Sequence, residues 1–156
     1  MKPLPRDLRR AWRRTFAVQS LWNYPTLIGP GLTYALLPLL RRIHAGDPVR
    51  LEAATRRHLE SFNAHPYLAA VAVGALARLE FEGVPDEEIA RFRTALRGPL
   101  GTLGDRTIWA EWRPFCLLLA IILYGAGAPP LLCALAFLLV YNAGHVWVRI
   151  WGCLLY

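Results

Sequence analysis

The stretch F-N-A-H-P-Y, residues 62 to 67, sets a ring, an amide and an imidazole close together in an otherwise apolar chain. Other polar islands interrupt that chain at Gln19 to Asn23, at Gly98 to Asp105 and at Trp109 to Pro114. Between them they offer amides (Gln19, Asn23, Asn63), a carboxylate (Asp105), an imidazole (His65) and indoles (Trp22, Trp109). That set suits a sugar. Hydroxyls both donate and accept, and planar amides and carboxylates can satisfy them in pairs. The C–H face of a pyranose packs on an aromatic ring. Two plainer readings stay open: His65 as a hydrogen-bonded interior residue, and Asp105, just after Gly104, as the cap of a helix beginning near Thr107. No thiol–imidazole pair, P-loop or metal-ligand spacing occurs, so no catalytic residue, metal or cofactor is expected.

The elements that must position these residues are apolar. The chain has 156 residues, about one domain's length, of which 55% are hydrophobic. Its mean hydropathy of +0.30 is high for a soluble globule of this size. The net charge of +7 is concentrated near the start, where Lys2, Arg6, Arg9, Arg10, Arg13 and Arg14 face only Asp7. A cleaved secretory signal is not expected, because Gln19, Asn23 and two prolines interrupt the first apolar segment. Nucleic-acid binding would need basic residues spread over one face of the fold, and here the other arginines fall between apolar segments. The remaining reading is a cytoplasmic flank over residues 1–14, obeying the positive-inside bias. Cys116, Cys133 and Cys153 are odd in number and apolar in surroundings, which predicts buried thiols rather than disulfides.

From Pro114 to His145 there is no charged residue, enough for a membrane span of ~20 residues. Gly125 to Pro130 divides this run, so residues 115–148 read either as a hairpin of two short segments or as a span starting after Pro130. Residues 26–40 are broken by Gly29, Pro30, Gly31 and Pro38, and the uncharged segment 66–77 is too short to cross. Broken backbone at membrane depth survives only where protein buries it or it lines a cavity, as in transporters. Ala70, Gly74 and Ala77 form a small-residue stripe for close helix packing. Residues 51–62 predict an amphipathic surface helix with Arg56, Arg57 and Glu60 on its polar side. Asp86 to Glu88 mark a helix start, and Gly98 its stop. The expected class is all-α: an integral membrane protein with amphipathic surface helices, short interrupted segments that include a re-entrant option, and at least one span.

The order of the islands carries a resemblance. F-x-x-Q-x-x-W-N-Y (Phe16 to Tyr24), R-R-H-L-E-x-F-N-x-H-P-Y (Arg56 to Tyr67) and G-P-L-x-x-x-G-D (Gly98 to Asp105) come first. W-x-x-x-R-P (Trp109 to Pro114) and Y-N-x-x-H (Tyr141 to His145) come after them. Together they closely resemble the IID subunit of the mannose/fructose/sorbose-type phosphotransferase (PTS) permeases, over nearly the whole chain. The resemblance implies a single IID-like domain in the bacterial inner membrane. It would pair with a IIC subunit in a hetero-oligomer and translocate a hexose-type sugar, while IIB, charged by IIA, phosphorylates that sugar. Membrane lipid is then a partner and nucleic acid is not. The substrate-binding residues expected are Gln19, Trp22, Asn23, Asn63, His65, Gly104, Asp105 and Trp109. Family members continue past Y-N-x-x-H, so the sequence is expected to lack the family's carboxy-terminal part. The runner-up function is a non-transporting, shortened subunit that scaffolds or regulates a IIC-like partner.

Overall fold

Helix α1 (Pro5–Thr15) leads into a looped segment and then α2 (Gly29–Ile43), α3 (Pro48–Leu59) and α4 (Ala69–Glu82) in a computed structural model that describes residues 5–156. Lys2 of the basic flank lies outside the described residues. Helix α5 (Asp86–Gly104) runs without a break into a π-helical stretch (Asp105–Trp112) and on into α6 (Arg113–Gly125). A tight turn carrying Gly127 at φ 89° reverses the chain into α7 (Pro130–Leu154). Among the described residues extended structure is limited to isolated bridges, Asn23 with Leu27 and Leu27 with Phe62.

The core sits between α1, α2 and α4, built on Leu32, Leu36, Leu39, Leu40, Val73 and Leu76. Helix α4 also lies along α7, and small residues set that distance. Gly74 stands against the carbonyl of Gly152, and a Cβ on Gly152 would come within 2.6 Å of the Val71 nitrogen. Two backbones approach this closely only where neither carries a side chain.

The long helix corrects two expectations. Gly98 does not stop α5, and Asp105 caps nothing: it is helical (φ −61°, ψ −42°), with its N–H bonded back to Gly101 O and Thr102 O. A mid-helix glycine costs only ~1 kcal/mol, and burial of Leu100, Gly101 and Gly104 against another part of the chain outweighs it. Residues 86–125 therefore form one helix of 40 residues, and α7 has 25; both are long and apolar enough to cross a membrane. At 1.5 Å per residue α7 reaches ~38 Å, against a hydrocarbon core of ~30 Å. Large apolar side chains on α6 and α7, among them Leu117, Ile121, Leu135 and Leu139, are exposed.

Helix α3 is amphipathic, but Arg57 leaves the polar side. Its side chain is only 10% exposed and pairs with Glu80 (2.6 Å) and Asp86 (2.9 Å). Glu80 is the hub of this knot. Its Oε1 accepts from Arg57 Nη2 and His58 Nε2 (2.9 Å), and its Oε2 from His44 Nε2 (3.1 Å), tying α4 to α3 and to the end of α2. Burial alone would push the carboxyl up, but the hydrogen bonds from His58 and Arg57 hold it down at about 2. Burial of His58 pushes its own pKa down, so the ring is a neutral donor. A carboxyl whose folded pKa lies below its unfolded value stabilises fully above the unfolded value, here 4.5, and loses that contribution as pH falls toward about 2. In thermal melting in detergent Glu80 should accordingly add nothing to the slope between pH 7 and 5, where the buried neutral rings of His58 and His65 set it, and should add a fall below about 4.5. Glu80→Gln should flatten the acid limb, and an unchanged limb in that variant would place the acid sensitivity elsewhere.

Candidate functional site

The extended joint between α3 and α4, residues 60–68, is held from both sides. The N–H of Phe62 donates to Thr26 O (3.1 Å) and the N–H of Ile28 to Phe62 O (3.0 Å), which docks the 16–28 loop on the joint. From the other side the N–H of His65 donates to Leu100 O in α5 (3.2 Å). Gly104 lets the joint come this close, because a Cβ there would strike the His65 side chain. The Asn63 amide nitrogen lies 3.8 Å from where a Gly101 Cβ would stand. Gly101 and Asp105 are one helical turn apart, and Trp109 is one turn further on. The joint thus runs along one face of the long helix, with Asn63 and Asp105 exposed beside it.

His65 is the buried centre. It is 2% exposed, its ring stands edge-on to Trp109 (centroids 5.4 Å apart) and to Tyr67 (4.9 Å). Nδ1 accepts the N–H of Tyr67 (3.3 Å). Burial pushes its pKa down, so the ring is neutral and carries its proton on Nε2. That Nε2 is buried and has no hydrogen-bond partner among the described residues. A buried donor without an acceptor costs ~1–3 kcal/mol. Such a group gains from any acceptor that reaches it, and at 2% exposure a ligand oxygen would reach it only after the joint or Trp109 shifts.

The 16–28 loop contributes less directly. Asn23 Oδ1 accepts from Thr26 N (2.9 Å) and Thr26 Oγ1 (2.8 Å), so this amide shapes the loop that docks on Phe62. Gln19 is exposed, and Trp22 stands edge-on to Tyr24 (4.9 Å). Among the described residues no hydrogen bond or ring contact joins Gln19 or Trp22 to Asn63, His65, Asp105 or Trp109. The structure therefore brings together Asn63, His65, Gly104, Asp105 and Trp109 and leaves Gln19, Trp22 and Asn23 on a neighbouring loop.

A second polar cluster, absent from the sequence expectations, adjoins the first through Tyr67. The Tyr67 hydroxyl meets that of Tyr141 (2.9 Å), its ring stacks on His145 (4.6 Å), and the Arg149 guanidinium lies over it (5.1 Å). Arg149, nearly fully buried, also covers Phe16 (4.7 Å) and donates to the carbonyl of Thr15, joining α7 to the end of α1. His145 Nε2 meets Asn142 Oδ1 (2.9 Å). Tyr141, His145 and Arg149 recur every four residues, one helix face. An arginine in that register, just past an uncharged run, is the signal the sequence holds for this cluster, since arginine is rarely buried unless it is paired.

Residues 4–155 match the PTS system mannose/fructose/sorbose family IID component. The chain belongs to that family. It is 29% identical over 151 residues to the PTS system mannose-specific EIID component of Escherichia coli (strain K12), covering 94% of this chain and 53% of that protein. It is 30% identical to the Fructose permease IID component of Bacillus subtilis (strain 168), covering 90% of this chain and 51% of that protein. This IID chain thus spans about half the length of these curated relatives. Among solved structures it is similar to a chain of the mannose transporter ManYZ in complex with microcin E492, with TM-score 0.87 and 29% identity over 97% of this chain and 57% of that one. A second structure, of a membrane protein, gives TM-score 0.85 at 28% identity, covering 98% of this chain and 57% of that one. IID family membership places the chain in a membrane and accounts for the two long apolar helices.

Proposed function

We propose that this chain acts with a IIC-type membrane partner to bind and translocate a hexose-type sugar, which a IIB protein, charged by IIA, phosphorylates during uptake. The observation that carries the reading is the unpartnered Nε2–H of His65, flanked by the exposed amide of Asn63, the carboxylate of Asp105 and the ring of Trp109. In the proposed site His65 donates to one hydroxyl oxygen, Asn63 and Asp105 take hydroxyls in pairs, and Trp109 covers the C–H face. Gly104 keeps the joint against the helix. Gln19, Trp22 and Asn23 act from the docked loop, with Trp22 as the second indole. The chain supplies binding and movement and leaves the phosphoryl chemistry to its partners.

Partnership has its own support. Exposed Leu117, Ile121 and Leu138 of α6 and α7 border an open apolar hollow of about 490 Å³, and a second of about 660 Å³ is lined by Trp112, Val140, Trp147 and Val148. At the larger, Trp112 itself packs on Gly144, and Val140, Trp147 and Val148 of α7 form an apolar lining that a partner could cover. The arginines of α1 favour a cytoplasmic amino terminus in the bacterial inner membrane.

The test is sugar binding to the co-expressed IID–IIC pair. Asn63→Ala and Asp105→Asn should each weaken it by several-fold to about a hundredfold, from the ~0.5–3 kcal/mol that one lost hydrogen bond costs. Assembly and melting without sugar should be unchanged. Unaltered sugar affinity beside a lowered melting point would give these residues a structural role and refute the site.

A further inference from the structure

Helix α1 carries five arginines and a single acid, Asp7. Its apolar stripe faces inward: Ala11 is fully buried, and Leu8 and Trp12 pack on the core. On the opposite flank Arg10, Arg13 and Arg14 line a hollow of about 300 Å³, closed by Ala17 and by Tyr34 of α2. Arg14 is fixed there. Its guanidinium lies 4.3 Å over the Tyr34 ring, and its Nη1 donates to Tyr34 O (3.0 Å). Arg10 and Arg13 are exposed, and among the described residues neither forms an ion pair or side-chain hydrogen bond. Three guanidiniums converge without a carboxylate. Their planar forks match the oxygens of a phosphate.

The place of this hollow in the fold says what kind of phosphate could reach it. Helix α1 lies beside the carboxy-terminal end of α7: Leu8 and Trp12 border one hollow with Ile150, Cys153 and Leu154, and the Thr15 carbonyl accepts from Arg149. On that same end Trp147 (65% exposed) and Trp151 (49%) stack at 6.5 Å with their rings outward. Exposed indoles on a spanning helix mark the level of the lipid headgroups. The arginine hollow is therefore next to the headgroup layer at one end of a candidate span.

From this juxtaposition of Arg10, Arg13 and Arg14 with the indole-marked end of α7, we infer that the hollow between α1 and α2 binds the phosphate of an anionic phospholipid headgroup. The site anchors the basic helix to one leaflet independently of the proposed sugar site. The chemistry recognised is a phosphate monoanion; its source is lipid rather than free phosphate.

The experiment titrates the full chain in a zwitterionic detergent with short-chain phosphatidylglycerol, reading the melting midpoint. Parallel titrations use phosphatidylcholine of the same chain length and inorganic phosphate. Phosphatidylglycerol should stabilise saturably, and the other two should not. Arg10→Gln/Arg13→Gln should raise the half-saturating concentration roughly tenfold or more. Arg91→Gln, an exposed charge on α5, should leave it unchanged. Should the double glutamine variant melt lower without lipid, Arg10→Lys/Arg13→Lys decides: it keeps the charge without the fork, and should keep a saturable response to phosphatidylglycerol at a half-saturating concentration between those of the parent and the glutamine variant. An equal effect of phosphatidylcholine, full reproduction by inorganic phosphate, or equal loss in Arg91→Gln would each overturn the inference.

Discussion

Glu80→Ala is expected to lose about 3–5 kcal/mol of stability, the range for removing one partner from a buried ion pair. The loss comes less from the missing attraction than from what stays behind. Arg57 keeps its charge at 10% exposure with only the outer carboxylate of Asp86 to meet it. His58, fully buried, loses the one acceptor of its Nε2, and His44 loses its partner as well. Glu82→Ala is the control on the same helix. Its pair with Arg78 is about half exposed on both sides, and surface pairs contribute ~0–1 kcal/mol. Melting of both variants in the same detergent checks the contrast. Equal losses would mean that the Glu80 knot is no more than a surface pair.

Gly74→Ala is the second large effect, in the direction opposite to helix propensity. Alanine favours a helix over glycine by ~1 kcal/mol at an open helical position. At Gly74 the added methyl meets the backbone carbonyl of Gly152, which cannot swing aside as a side chain can. Helices α4 and α7 must separate, and overpacking of this kind costs ~1–3 kcal/mol. Gly74→Ala should therefore lower the melting point despite the better helix propensity of alanine. A stabilised Gly74→Ala protein would show that the α4–α7 contact has room for a methyl group.

Much of this is legible in the chain itself, and the reasons differ by element. The small-residue stripe of α4 and the acidic start of α5 are local patterns, and each appears where its pattern places it. The family is readable because its polar motifs are long and ordered. Reading Gly98 and Gly104 as local punctuation fails. The tolerance of Gly104 inside a helix depends on residues 63–65, some forty positions away in sequence, and no local rule contains that contact. Helix phase assigns Arg57 to the solvent side, yet Glu80 and Asp86 draw it inward from other helices. The Tyr67–His145–Arg149 stack escapes a reading that ends the apolar region near Val148, one residue short of the arginine that organises it.

The π-helical stretch from Asp105 to Trp112 has a geometric consequence for everything beyond it. A backbone ring closed by an i→i+5 bond holds one residue more than an α-helical one, so the chain winds more slowly there. Side chains after Trp112 consequently emerge at an azimuth that an unbroken α-helix would not give them. The stretch works as a phase adjuster: it lets Asp105 and Trp109 face the joint while α6 presents its leucines outward and meets α7 on another side. Removing a single residue from it would change the phase of the α6–α7 hairpin about the helix axis. Insertions and deletions here are therefore equivalent to rotating the outer half of the protein against the inner half, even where no contact residue is changed.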